Sequence, residues 1–427
     1  MDNQNSFNAV SFPMNRIKKL YKSLLPGIFL FGFTVGTGSV TAMAKAGADY
    51  GMTLLWTIFL SCAITFYLIH LFGKYALVSG QTALQSFRKH LHPLVGIFFI
   101  ITLTAHVCGS VIGVMGILSD VCFEWSRNFI PGGIAPIYFA VFFIVLVYAI
   151  FLAGKTEVFQ NILAVFVGIM SVCFFINFFI LMPKASEIAR GMLPRIPDTG
   201  TGESAFLVIA SMVGTTVFSG LFILRTTLVK EAGWTLKDLK KQKMDALFSG
   251  VLMFVVSGSI MAAAAGTLHP KGIRLENVSE MIVLLEPLAG PFAAAIFTIG
   301  IIAAGVSSQF PNVALLPILL DDYHGRKTNL KRTSYRIIAA AISLLGLIVP
   351  LLEARPIVVM IVSQAFGALV LPVTVLCILY LGGRRDIMRK DRFTLRTNLL
   401  LAMILVFALI MSYMSYASII GILKSLF

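Results

Sequence analysis

Eleven apolar runs, each long enough to cross a bilayer, constrain this chain more than any other feature. They fall at roughly 24–48, 51–73, 94–118, 134–153, 158–181, 205–229, 246–267, 288–308, 334–353, 356–381 and 398–422. A hydrocarbon core about 30 Å thick needs roughly 20 apolar residues of helix. In lipid only helices and closed barrels satisfy every backbone polar group. Hydrophobic residues make up 58% of the 427 and charged residues 12%, against roughly a quarter charged in a soluble domain. The expected class is an all-α polytopic membrane protein with eleven transmembrane helices.

Two of the runs are interrupted. Gly36-Thr37-Gly38-Ser39 breaks the first and Phe218-Ser219-Gly220 breaks the sixth. Non-helical backbone at membrane depth persists only where it is buried in protein or lines a wet cavity. Paired interruptions at corresponding places in two halves point to a transporter's substrate site. Five spans separate the starts of spans 1 and 6, so the two run in opposite directions. The count implies a LeuT-type 5+5 inverted repeat with broken helices 1 and 6. The domains are then a cytoplasmic tail (1–23), repeat one with helices 1–5 (24–181), an outer loop (182–204), repeat two with helices 6–10 (205–381) and helix 11 (382–427).

The net charge of +15 does not signal nucleic acid, because of where it lies. Basic residues cluster in alternate loops: Arg16, Lys18, Lys19 and Lys22; Lys74, Arg88 and Lys89; Lys237, Lys240, Lys241 and Lys243; Arg326, Lys327, Lys331 and Arg332; and six arginines and lysines from Arg384 to Arg396. This positive-inside pattern places the N-terminus in the cytoplasm, the C-terminus outside, and the protein in a cell membrane of prokaryotic inner-membrane type. Pro26 and the glycines make the first run a poor signal peptide despite Ala42-Met43-Ala44. Five cysteines without CxxC spacing indicate neither a disulfide framework nor a zinc site. Residues 309–333 read as an amphipathic segment along the inner face, and Trp125 as an interfacial loop aromatic.

Neither break contains Asp, Glu, His, Met or Cys. A dication gives up strong hydration and is ordinarily repaid by carboxylate, imidazole or thioether ligands. A zwitterion suits the breaks better. The half-helix after Ser39 offers open N–H groups and a positive dipole end to a carboxylate, and the carbonyls before the span-6 break suit an ammonium. The substrate-binding set is Gly36, Thr37, Gly38, Ser39, Thr215, Phe218, Ser219 and Gly220, with Phe218 as an aromatic lid. The competing reading is that these small residues only let helices pack closely. Arg225 is a gating candidate, as an intramembrane charge, or a side chain snorkelling to the inner interface. His106 is a candidate for a coupling proton, or a core histidine bonded to a carbonyl. Ser307 and Ser308 are candidates for a coupling Na+ site. Lys45 and Asp49 mark the outer end of span 1.

Several motifs together resemble the Nramp divalent-metal transporters. They are Pro26-Gly27 through Ala46-Gly47-Ala48-Asp49-Tyr50-Gly51, Leu54-Leu55-Trp56, Leu193-Pro194, Leu288 with Gly290-Pro291 through Ala303-Ala304-Gly305-Val306-Ser307-Ser308, and Ser363-Gln364 with Leu371-Pro372. The resemblance implies an eleven-helix LeuT-type fold and alternating access. It adds Gln364, at a metal-contacting position of the family, to the substrate-binding set. The site motifs depart from the family. Gly36-Thr37-Gly38-Ser39 stands for Asp-Pro-Gly-Asn, and Phe218-Ser219-Gly220 for Met-Pro-His. Val107 and Ser110 stand where the family has span-3 carboxylates, and Arg225 where it has a second histidine. Gly-Thr-Gly-Ser is also similar to the Gly-Ser/Thr-Gly stretch with which amino-acid carriers of the wider superfamily hold a carboxylate.

The expected function is an Nramp-related secondary transporter for a small organic zwitterion such as an amino acid. The alternative is a divalent-metal (Mg2+ or Mn2+) transporter with a relaxed site. An enzyme is not expected: there is no HExxH, no paired intramembrane aspartate and no Ser–His dyad. No metal ligand set and no cofactor is expected beyond a coupling Na+ or H+. The partners are a small-molecule substrate and the lipid bilayer, with neither nucleic acid nor an obligate protein.

Overall fold

The computed structural model describes residues 36–153, 156–181, 183–197, 205–282, 284 and 293–425. Among these there is no strand. The main helices in chain order are α1 (Thr37–Tyr50), α2 (Leu55–Ser79), α3 (Pro93–Ser126), α4 (Pro136–Ala153), α5 (Thr156–Leu181), α6 (Phe206–Thr216), α7 (Ser219–Glu231), α8 (Leu239–Thr267), α9 (Ala293–Tyr323), α10 (Thr333–Leu344), α11 (Pro356–Gly383) and α12 (Leu395–Ser425). Nine segments among the described residues are long and apolar enough to cross a bilayer, or ten if Ser171–Leu181 and Ala185–Gly191, bent by 120°, count as one. The expected first span opens at 24, and its residues 24–35 lie outside the described residues, as does the whole expected tail at 1–23.

Burial separates an inner bundle from a lipid-facing shell. The α6–α7 segment is enclosed over 94% of its most apolar stretch, whereas α4 is enclosed over 28% and α12 over 33%. Side chains such as Phe142 and Val145 on α4, and Met403 and Tyr413 on α12, therefore face outward. Lipid tails solvate them as well as a protein core would, so helix association must come from close packing instead. Glycines supply it at two places. A Cβ on Gly214 of α6 would collide with the Gln364 carbonyl oxygen of α11, and one on Gly47 of α1 with the Met261 carbonyl oxygen of α8. The phenylalanines of α5 divide between core (Phe174) and shell (Phe175, Phe179).

Two expectations are corrected here. The inner-face amphipathic segment at 309–333 does not exist as such: α9 continues without interruption through Pro311 and Pro317 to Tyr323, and Gln309 and Asn312 are buried. Proline ends a helix in water because it removes a hydrogen bond and clashes with the preceding turn. At membrane depth, neighbouring helices and side chains offset that loss. Asp321, at the end of α9, is buried and accepts hydrogen bonds from the Tyr335 hydroxyl (2.6 Å), Arg332 (3.2 Å) and the Asn329 amide (3.0 Å). Trp125 likewise lies inside α3, not in a loop, with its ring edge-on to Phe129.

Because α6 and α11 touch backbone to backbone, Gly214→Val should cost about 1–3 kcal/mol through overpacking. The check is the thermal midpoint of purified protein in detergent. An unshifted midpoint would show that the glycine contact is not needed.

Candidate functional site

The sixth span is broken at Val217 and Phe218. The Val217 amide closes α6 on the Val213 carbonyl (2.7 Å), and α7 restarts at Ser219. Val217 (φ −102°, ψ 49°) and Phe218 (φ −72°, ψ 119°) leave helical geometry. The break thus falls one residue before the Phe218-Ser219-Gly220 run, whose last two residues are already helical. In the first span, α1 starts at Thr37 with Gly36 extended before it (φ −103°, ψ −171°). The half preceding Gly36 lies outside the described residues.

Residues of the sixth-span break and of the Gly36–Ser39 stretch line one cavity of about 40 Å³. Eight of the expected site residues reach it: Gly36, Gly38 and Ser39 from α1 and its cap, Thr215 and Phe218 at the sixth-span break, His106 on α3, Ser308 on α9 and Gln364 on α11. Ser110, Val114 and Asn312 complete the lining. Ser110 already stood at a position where the family has a carboxylate. Asn312 was missed because it falls in the 309–333 stretch expected to lie along the inner face.

Five expected residues do not line the cavity. Thr37 is buried, its hydroxyl without a hydrogen-bond partner among the described residues. Ser219 accepts a hydrogen bond from the Thr374 hydroxyl (2.7 Å), tying α7 to α11. Gly220 makes room for the Phe218 ring, which a Cβ there would strike. Ser307 donates to the Ala304 carbonyl (2.9 Å). Arg225 corrects its expectation most. It neither snorkels nor reaches the cavity, but is fully buried with Nη1 2.6 Å from Asp245 Oδ2 on α8. Its Nη2 donates to the Gln242 carbonyl (3.4 Å), and Trp234 lies over the guanidinium at 5.4 Å. Asp245 is fully buried as well, so both charges are withdrawn from lipid and water together.

His106 stacks on Phe218, with ring centroids 4.6 Å apart, and its buried Nδ1 has no partner among the described residues. Phe218 packs against His106 as part of the cavity wall. Lys45 and Asp49 do pair, at 2.8 Å, and both bind the Leu275 backbone.

Three polar side chains of the cavity share one orientation. Ser308 donates to the Ala304 carbonyl (2.7 Å), the Asn312 amide to Ser110 Oγ (3.1 Å) and the Gln364 amide to Met360 Sδ (3.3 Å). Each turns a donor toward protein. The Asn312 and Gln364 amide oxygens carry no hydrogen bond from any described residue, and the Ser308 oxygen keeps its lone pairs. No lining residue is acidic or sulfur-bearing. Among the described residues no group of three or more His, Cys, Asp or Glu side chains could hold a metal ion.

An interrupted sixth span and the start of α1 after Gly36 meet around a polar cavity inside a helical bundle, the arrangement of a transporter's substrate site. The Nramp family model (natural resistance-associated macrophage protein-like) matches residues 28–418, and this chain belongs to the Nramp family. It is therefore an alternating-access transporter and not an enzyme. It is 23% identical over 435 aligned positions to the divalent metal cation transporter MntH of Clostridium acetobutylicum, covering 96% of this chain and 95% of the relative. Its fold is similar to that of the Eremococcus coleocola manganese transporter, with a TM-score of 0.76 and 15% identity, over 97% of this chain and 89% of the other. It also resembles Mhp1, a nucleobase-cation-symport-1 family transporter solved with bromovinylhydantoin bound, with a TM-score of 0.55 and 14% identity, over 94% and 93% of the two chains.

Two outcomes follow. A Cβ on Gly36 would collide with Ser308 Oγ. Gly36→Ala should then cost about 1–3 kcal/mol, and Gly36→Ala/Ser308→Ala should recover most of it in thermal unfolding. Asp245→Ala leaves a buried guanidinium unpaired, at a cost of about 3–5 kcal/mol. Arg225→Met/Asp245→Leu should restore folded yield, measured by size-exclusion chromatography after heating.

Proposed function

We propose that this Nramp-family transporter moves a divalent cation that keeps much of its water shell, with magnesium-like preference for oxygen. The observation that carries the reading is the hydrogen-bond polarity of three cavity side chains: Ser308, Asn312 and Gln364 turn donors into protein and leave oxygens for the substrate. Such oxygens suit a cation or its bound waters, and Mg2+ gives up its waters reluctantly. The names of the relatives point the same way, since MntH is a divalent metal cation transporter. The departure from the family motifs sets the affinity. Without a carboxylate, imidazole pair or thioether in the lining, direct coordination of a soft metal has little to offset its dehydration. The basic loops support a cytoplasmic N-terminus in a prokaryotic inner membrane. An inside-negative potential drives two charges inward with about 4.6 kcal/mol per 100 mV, and a Na+ or H+ gradient is the candidate for further coupling.

A small dipolar organic substrate is the second reading. It is favoured by the start of two half-helices, α1 and α7, at the breaks, because their open N–H ends attract a carboxylate.

Reconstituted proteoliposomes separate the two. With an inside-negative potential, uptake of Mg2+ and Mn2+ should saturate with half-maximal rates at about 0.1–1 mM, the range of weakly charged oxygen sites. Amino acids offered in parallel should not enter. Amino-acid entry without divalent entry would reverse the choice.

A further inference from the structure

We propose that Met360, which does not line the cavity, is a positioning residue. It decides which end of the Gln364 amide the substrate meets, and thereby makes the cavity selective for hard cations. An amide is nearly symmetric in shape but opposite in polarity at its two ends, so its neighbours set its direction. Gln364 is buried, and its Nε2 lies 3.3 Å from Met360 Sδ, one turn earlier on α11. A thioether can accept but never donate, so the end of the amide resting on it must be the NH2. The oxygen is the end left to the cavity. Gly38 of α1 allows this arrangement, because a Cβ there would stand 2.5 Å from Gln364 Nε2 and 3.3 Å from Met360 Sδ. The glycine thus serves the site through the space it leaves for a side chain of another helix.

The same packing keeps sulfur out of the coordination sphere. Met360 is fully buried behind Gln364. A cation in the cavity meets amide oxygen, and the soft ligand that would favour a late transition metal or Cd2+ stays covered. Sulfur here acts through the glutamine it orients.

This role rests on the reading of the cavity as the cation site. The test is a comparison of Met360→Leu and Met360→Gln in proteoliposomes, with Mg2+, Mn2+ and Cd2+ as substrates. Leucine conserves volume and removes the acceptor, whereas glutamine supplies a carbonyl oxygen at similar reach. Met360→Leu should raise KM by about fivefold or more for all three ions, the cost of stranding a buried donor, with the maximal rate little changed. Met360→Gln should return KM toward wild type. A purely packing role gives the opposite order, with leucine tolerated and glutamine harmful, and would overturn the proposal. A loss confined to Cd2+ would also overturn it, by making sulfur a direct ligand. If wild type moves no divalent cation, the substrate reading falls and this role with it. If wild type transports and Met360→Leu is unchanged, this role alone falls.

Discussion

Peptide groups left open in the middle of a membrane govern the rest of this structure. Where α6 stops at Thr216 and α7 resumes at Ser219, the backbone can survive only if the protein encloses it. The bundle does so by bringing α11 into backbone contact with α6 at Gly214, and by tying α7 to α11 through Ser219 and Thr374. This segment is accordingly the most enclosed of the candidate spans, whereas α4 and α12 keep most of their surface facing outward. The cavity is what remains where the enclosure is incomplete.

Charge is kept out of that cavity and used elsewhere. The fully buried Arg225–Asp245 pair links α7 to α8. Gln242, beside it, donates to the Ile69 carbonyl and bonds the His70 ring on α2. Asp321 gathers three donors at the end of α9. Each of these charges is costly to bury alone and tolerable when paired. They hold helices together, whereas the substrate region is built from neutral oxygens whose direction is set by the donors behind them. A neutral cavity holds a dication weakly, and weak holding favours release.

The family resemblance and the broken-helix argument located most of the cavity wall, because glycine, serine and an aromatic within an apolar run are visible exceptions to the composition around them. Asn312 was hidden because the apolar run ends near 308 and the polar residues after it read as an inner-face segment, whereas α9 runs on to Tyr323. Asp245 was hidden by its position at the edge of an apolar run, next to a lysine-rich loop, where an acid reads as solvated. Met360 gave no signal at all, since a methionine in an apolar span is ordinary core. The zwitterion expectation weighed what the breaks lack and could not weigh the direction in which the surrounding side chains hydrogen-bond.

By itself, the sequence determined that the chain crosses a membrane as helices, that the sixth span breaks, and that neither this break nor the Gly36–Ser39 stretch carries acid or sulfur. These properties are local: run length, small residues and composition act over a few turns of one helix. Only the tertiary structure decided that Arg225 finds an acid, that Gly38 makes room for Gln364 and that the cavity presents oxygens. Those depend on which helices touch and at what rotation, and a polar side chain's donor and acceptor are assigned by a partner far away in the chain.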